Sequence, residues 1–313
     1  MISFLLPAWL VGVLTFSVML AVLAFWGGCL LLPLIVLRLL LPLRVLQEPL
    51  SQLMVAVAQQ WVASNQLVYR VMYAPAWHLD YRAKLDPSKS YLLICNHQSW
   101  ADIQILFDLF HGRTHFPRFF LKQELIWVPI IGAACWALDM PFMKRHSREA
   151  IAANPALRNE DLATTRQFCE KYLHRPITVV NFLEGTRFSE SKRDTTGSPY
   201  RHLLKPKTAG LSFTLNAMGE QFGGIIDVTL AYLPTRRNNL VWSWLCGEQA
   251  QMAIHVHTLP IPSELIHGDY EADAEFRARF QTWVNGIWSR KDARLERMLS
   301  GADRAQASTP RLT

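Results

Sequence analysis

The sequence predicts an α/β fold, a mostly parallel sheet flanked by helices, preceded by an N-terminal membrane-embedded helix or helical hairpin. Three observations carry that expectation. Short apolar runs recur along the chain with helical stretches between several of them, the pattern of strands joined by crossover helices. No charged side chain occurs from Ile2 to Leu37, which exceeds the roughly 20 apolar residues that a bilayer crossing needs. Two polar blocks, around His97 and around Glu184, each follow an apolar run and so fall where a strand ends.

Half of the 313 residues are hydrophobic and 18% are charged, enough to fill a core with apolar residues to spare. The surplus lies at the N-terminus. A secretory signal would carry Lys or Arg before its apolar stretch and small residues at a cleavage site after it, and neither is present. The segment therefore reads as a retained anchor, residues 1–47. Ala8 to about Leu30 is expected as one spanning helix. Leu31 to Leu46, interrupted by Pro33, Arg38, Pro42 and Arg44, suits a second short or interfacial helix, and the number of passes, one or two, stays open. Arg38, Arg44, Arg70 and Arg82 follow the apolar stretch, so the positive-inside bias puts the rest of the chain on the cytoplasmic side. The net charge of +7 lies beyond residue 37 and favours an anionic membrane surface or a phosphate-bearing substrate. The five cysteines include no CxxC pair, which fits a reducing compartment and not a structural zinc site.

Residues 48–300 are expected as the α/β domain. Ser51 to Tyr73 alternates apolar and polar residues in a helical rhythm and leads away from the membrane. Ser90 to Cys95 reads as a buried strand and Ala101 to Phe110 as the helix after it. Further strands are expected at Phe116 to Leu121, Ile177 to Leu183, Ile225 to Leu233 and Met252 to Leu259, with helices at Glu160 to Leu173 and Pro206 to Met218. Ser189 to Tyr200 is polar and turn-rich, a surface loop. In the last helix, Glu271 to Met298, Phe276, Phe280, Trp283 and Ile287 form one apolar stripe, read as packing on the domain with lipid contact as the alternative. Residues 301–313 are expected to be a disordered tail.

Chemistry concentrates in a few segments. In Asn96-His97-Gln98-Ser99-Trp100-Ala101-Asp102, His97 has the side chain suited to take a proton from a hydroxyl acceptor near neutral pH. Asp102 could receive its other ring N–H and fix the tautomer, provided His97 lies in the turn before the helix and Asp102 in its first turns. The same letters also form an S-x-x-D capping box from Ser99 to Asp102, which would need no catalysis. In Glu184-Gly185-Thr186-Arg187, glycine permits close backbone approach, arginine offers a bidentate fork for phosphate, and glutamate could hold the arginine or an acceptor hydroxyl. Read alone, that tetrapeptide is a turn with an ion pair.

Together, an N-H-x-x-x-x-D block and, some 80 residues later, an E-G-T-R block behind an apolar N-terminus resemble the glycerolipid acyltransferase family, which includes the 1-acylglycerol-3-phosphate acyltransferases. Phe120-Leu-Lys122-Gln-Glu124, Gly132 and Pro141-Phe-Met-Lys144-Arg145 look like its second block, and Ala231-Tyr-Leu-Pro234 like its fourth. From about residue 90 to 295 the wording is further similar to a bacterial inner-membrane member. The resemblance implies an acyl group moved from a thioester, acyl-CoA or acyl-carrier protein, to the sn-2 hydroxyl of lysophosphatidic acid, on the cytoplasmic side of a bacterial inner membrane. It implies His97 as general base and Asp102 as its orienting carboxylate. Glu184, Gly185, Thr186 and Arg187 would bind the acceptor's glycerol phosphate, Lys122 and Arg145 would add positive charge there, and Pro234 would shape the acyl-binding wall. The partners implied are the lysophospholipid, the acyl thioester, the bilayer and, as an alternative donor, acyl-carrier protein. No cofactor, metal or acyl-enzyme is implied. Another anionic lysophospholipid, such as lysophosphatidylglycerol, is the second acceptor reading, and a non-catalytic lipid-binding scaffold is the rival from another class. The fourth block departs from the family's valine-rich form, and Asp102 argues against the glutamate variant that serves lipid A acylation.

Other classes find less support. A serine hydrolase lacks G-x-S-x-G, since Gly210-Leu-Ser212-Phe-Thr214 ends on the wrong residue. His111 with His115 lacks the glutamate of H-E-x-x-H, and His255 with His257 lacks a third ligand. Glycine-rich nucleotide loops are absent and the basic residues form no nucleic-acid face.

Overall fold

The computed structural model describes residues 2–41, 43–75, 77–144, 158–173, 175–233, 239–248 and 252–301. The expectations for Pro42, Arg145, Pro234 and the tail beyond Gly301 lie outside the described residues.

Ala8–Leu40 (α1) is helical throughout and, among the described residues, is the one helix long and apolar enough to cross a membrane. At 1.5 Å per residue its 33 residues reach about 50 Å. The expected break near residue 31 is not observed. Pro33 removes an N–H and crowds the carbonyl four residues back, and the chain meets it with a wider π segment over Ala24–Leu31 before resuming the α-helix at Leu32. Val11, Gly12, Thr15, Gly27, Leu31 and Ile35 are buried along one side. Trp9, Phe16, Leu20, Phe25, Val36 and Leu40 are exposed.

Arg44–Met72 (α2) turns back along α1. Trp26 donates to Ser64 Oγ at 2.9 Å and Arg38 Nε to Gln47 Oε1 at 3.0 Å. Its buried residues Met54, Val57, Ala58, Val62, Tyr69 and Met72 recur every three to four positions, the stripe of a helix packed on one side. Leu67 and Val71 of the same helix lie off that stripe and are exposed.

The sheet follows from apolar runs bounded by turns. In chain order the strands are β1 His78–Tyr81, β2 Ser90–Cys95, β3 Pro117–Phe119, β4 Leu121–Lys122, β5 Phe142–Met143, β6 Thr178–Phe182, β7 Phe222–Tyr232 and β8 Met252–Leu259. Six of them form one sheet in the order β1-β8-β7-β2-β6-β3, while β4 and β5 pair apart. Every neighbour in the large sheet is parallel except β7 with β8. β2 lies between β7 and β6, so all six of its residues are buried, as a strand covered on both faces requires.

Helices cover both faces. Ala101–Phe110 (α3) lies with α1 and α2 on the side of Leu93, Cys95 and Val228. Short Ile131–Ala137 (α4) packs on α1, where a side chain at Gly27 would strike Ile130. Arg158–Lys171 (α5), Thr208–Met218 (α7) and Ala274–Ser300 (α9) belong with the side of Leu92, Ile94 and Ile225. Between α5 and α7, Glu190–Thr195 (α6) is a short helix where a loop was expected, capped by Ser189 Oγ accepting from Lys192 N at 3.3 Å. Leu240–Leu245 (α8) seats Trp242 and Cys246 against Gly12 of α1.

α9 is fixed by its apolar stripe, where Phe276, Phe280, Val284, Ile287 and Trp288 are buried, so packing on the domain accounts for it. It also carries a cation inward. Lys291 is fully buried, 2.5 Å from Asp227 Oδ1 and 2.5 Å from the Val228 carbonyl on β7. Removing one member of such a pair strands the other charge in a dry interior. Lys291→Ala is expected to destabilise the fold by about 3 kcal/mol, measured by denaturant unfolding in detergent micelles.

Candidate active site

The loops that follow β2 and β6 emerge side by side, because the two strands are parallel neighbours ending at Cys95 and Phe182. Ligand sites at the carboxyl ends of parallel strands follow from this geometry. Asn96 ends the first strand by acting as a ladder rung: its amide donates to the Leu230 carbonyl and its oxygen accepts from Leu230 N, both at 2.9 Å. That bond pair leaves His97 in the turn, with Asp102 in the first turn of α3.

The His97 ring and the Asp102 carboxylate meet there, with Nδ1 2.8 Å from Oδ2. Oδ2 also accepts from Gln98 N at 2.7 Å and Ser99 N at 2.9 Å. Of the capping box only this half forms, since Ser99 Oγ accepts from Ala101 N at 3.2 Å and α3 starts after Trp100 with no side-chain cap. A carboxylate can only accept, so Nδ1 carries the proton and Nε2 presents a lone pair. Asp102 is wholly buried, whereas the His97 side chain keeps 15% of its surface exposed. The ring stacks on Phe182 at 4.1 Å, and Phe182 stacks in turn on Phe119 of β3.

The Glu184-Gly185-Thr186-Arg187 block locks onto the His97 block through its backbone. Phe188 N donates to the His97 carbonyl at 2.7 Å. Glu184 Oε1 accepts from His97 N and Oε2 from Leu204 N, each at 2.9 Å. Here the structure corrects an expectation: Glu184 is buried with both oxygens engaged, so it braces the turn of His97 and does not face an acceptor. Burial is the main cause that pushes its carboxyl up to about 7, against the two backbone donors and the cation of Lys291. Gly185 has a positive φ of 69°, and a side chain there would press on the Lys207 stem at 3.0 Å. The Thr186 hydroxyl accepts from Lys192 Nζ at 3.0 Å, which also reaches the Arg187 carbonyl at 2.9 Å.

Arg187 lies over the Trp100 ring, 5.0 Å from its centroid, which stacks the guanidinium and leaves its edge for an anion. Lys192 against Thr186 and Arg187, and the Lys207 stem against Gly185, gather positive charge around the turn that carries Arg187. The two lysines escaped the reading of the sequence because neither belongs to a recognisable block. Lys122 is exposed on β4, three residues beyond the Phe119 ring that backs the site, and no described contact joins it to Arg187.

Comparison with known proteins bears on this arrangement. Residues 78–233, from β1 to just past β7, match the family model described as Acyltransferase. The chain belongs to the acyltransferase family. Among its relatives are a 2-acyl-1-lysophosphatidylinositol acyltransferase of Saccharomyces cerevisiae, 22% identical over 249 residues, 66% of this chain and 61% of that protein. Another is the 1-acyl-sn-glycerol-3-phosphate acyltransferase delta of Homo sapiens, 26% identical over 183 residues, 55% of this chain and 43% of that one. The chain thus spans less than two thirds of the length of either relative. The crystal structure of the 1-acyl-sn-glycerophosphate (LPA) acyltransferase, PlsC, from Thermotoga maritima shares the fold. The match has a TM-score of 0.53 at 13% identity and covers 92% of this chain and 95% of that one. The acyltransferase segment contains the strand ends, both blocks and the β7 end that together build the cluster around His97.

Glu184 supplies a pH test. Its folded-state carboxyl, at about 7, lies above the ordinary 4.5, so between those values the native state binds the proton more tightly than the unfolded chain. Its contribution to stability therefore declines as pH rises from about 4.5 through about 7 and levels off above. Glu184→Gln is expected to flatten that decline by on the order of 3 kcal/mol, read as the difference between the two proteins' unfolding free energies across the interval.

Proposed function

We propose that the protein transfers an acyl group from a thioester, acyl-CoA or acyl-carrier protein, to the sn-2 hydroxyl of lysophosphatidic acid, giving phosphatidic acid. One observation carries this reading: Arg187 lies over Trp100, within the turn that joins His97 to Asp102, so a base and an anion-binding fork are carried on adjoining turns. The activities for which these relatives are named support the same class. Residues 1–47 act as the anchor of a catalytic domain over 48–300, with α1 in the bacterial inner membrane and the site on the cytoplasmic side.

In this mechanism Nε2 of His97 takes the hydroxyl proton as the acceptor oxygen attacks the thioester carbonyl. Asp102 holds the imidazolium that forms. The tetrahedral intermediate collapses, the C–S bond breaks, and the thiolate leaves with the proton from His97. Arg187, with Lys192 and Lys207 nearby, holds the phosphate, and Arg145 and Lys122 add charge from the second block. Pro234 contributes to the acyl wall. Direct transfer is supported by the state of the nearest thiol, since Cys95 is fully buried and burial pushes its pKa well up.

His97→Ala is expected to lower kcat about a thousandfold with lysophosphatidic acid and acyl-CoA while the protein stays in the membrane fraction. Equal turnover by the variant would remove the mechanism, and no turnover by the unaltered protein with any donor would favour the lipid-binding scaffold. Trp100→Leu is expected to raise KM for the acceptor several-fold, the scale of one cation–π contact, with kcat held. The acceptor named for the yeast relative favours a second reading, another anionic lysophospholipid, and a screen over lysophosphatidic acid, lysophosphatidylglycerol and lysophosphatidylinositol separates them.

A further inference from the structure

Asp102 receives a fourth donor that the two blocks do not supply. Tyr232, the last residue of β7, points its hydroxyl at Oδ1 from 2.5 Å. Asp102 has no exposed surface and Tyr232 very little, so no water stands ready to replace that bond. The phenol can only be the donor, because burial and the facing carboxylate both push its pKa well above 10. Its position is set from two directions: the Asn96 rung holds Leu230 of the same strand, and the ring sits in the core shared with α2 and α8.

The division of labour at the carboxylate is then complete. Oδ2 serves His97 and two backbone N–H groups, while Oδ1 serves Tyr232. A carboxylate whose second oxygen is already held by a donor cannot rotate to offer that oxygen to the imidazole, and part of its charge is taken up by the phenol. We propose that Tyr232 is a positioning residue that fixes the Asp102 carboxylate and moderates its pull on the Nδ1 proton of His97. It never touches substrate. This role rests on the acyl-transfer reading for its effect on rate, but not for its effect on the dyad itself.

The variant is Tyr232→Phe, which keeps the ring and removes the donor. The titratable groups near the dyad, Glu184, Cys95 and Lys291, stay in place, as does Ser99. With lysophosphatidic acid and acyl-CoA, kcat is expected to fall about tenfold, the rate equivalent of one lost hydrogen bond to a charge, with KM unchanged. The acidic limb of the kcat profile moves to higher pH, because a less restrained carboxylate holds the imidazolium more tightly. A second measurement needs no substrate: the downfield proton resonance of the His97 Nδ1–H shifts further downfield in the variant in detergent micelles, while its melting temperature shows the fold intact. An unmoved resonance in a folded variant overturns the proposal whether or not turnover is found. A moved resonance with no turnover in the unaltered protein leaves Tyr232 in its role and overturns the acyl-transfer reading.

Discussion

Burying a carboxylate away from water is costly unless its lone pairs find donors, and the site depends on how that demand is met at Asp102. Two donors come from its own turn, one from the imidazole and one from a strand 130 residues away. Each ties a different element to the same point. The turn after β2, the start of α3 and the end of β7 cannot move independently while the carboxylate is held.

Glu184 repeats the device one strand over. It too is buried with both oxygens on backbone donors, one on His97 and one on Leu204, and Trp288 of α9 donates to the Leu204 carbonyl at 3.1 Å. Thus the long C-terminal helix, the loop before α7 and the turn of His97 are joined through two side chains that meet at the backbone of Leu204. Its place in the E-G-T-R block lets it brace the histidine's backbone, while Arg187 of the same block stays exposed.

Much of this was legible in the sequence where the signal is local. Ser90–Cys95, Ala101–Phe110 and Met252–Leu259 have the expected bounds because run length, turn residues and periodicity agree there. The pairing of His97 with Asp102 needed only a strand-turn-helix arrangement. What escaped was set by packing between distant segments. β1 is a short edge strand with two exposed residues, too weak a pattern to read, and it exists because β8 offers a parallel partner. α1 runs past Pro33 because a π turn absorbs the proline, which no residue in the segment announces. Tyr232 lies in the fourth block, but its orientation toward Asp102 depends on the register of β7 against β2, and Lys192 acts from a helix that composition favoured as loop.

The burial of Lys291 has a consequence for how the protein meets its medium. Mobile ions screen charges they can approach, within a Debye length of about 8 Å at physiological strength, and no ion can approach an ammonium enclosed between α9 and β7. Arg187 and Lys192 face solvent and have no such shelter. The cell's ionic strength therefore weakens the pull of that rim on any anion, while the field beneath Cys95 and Glu184 stays as folding left it.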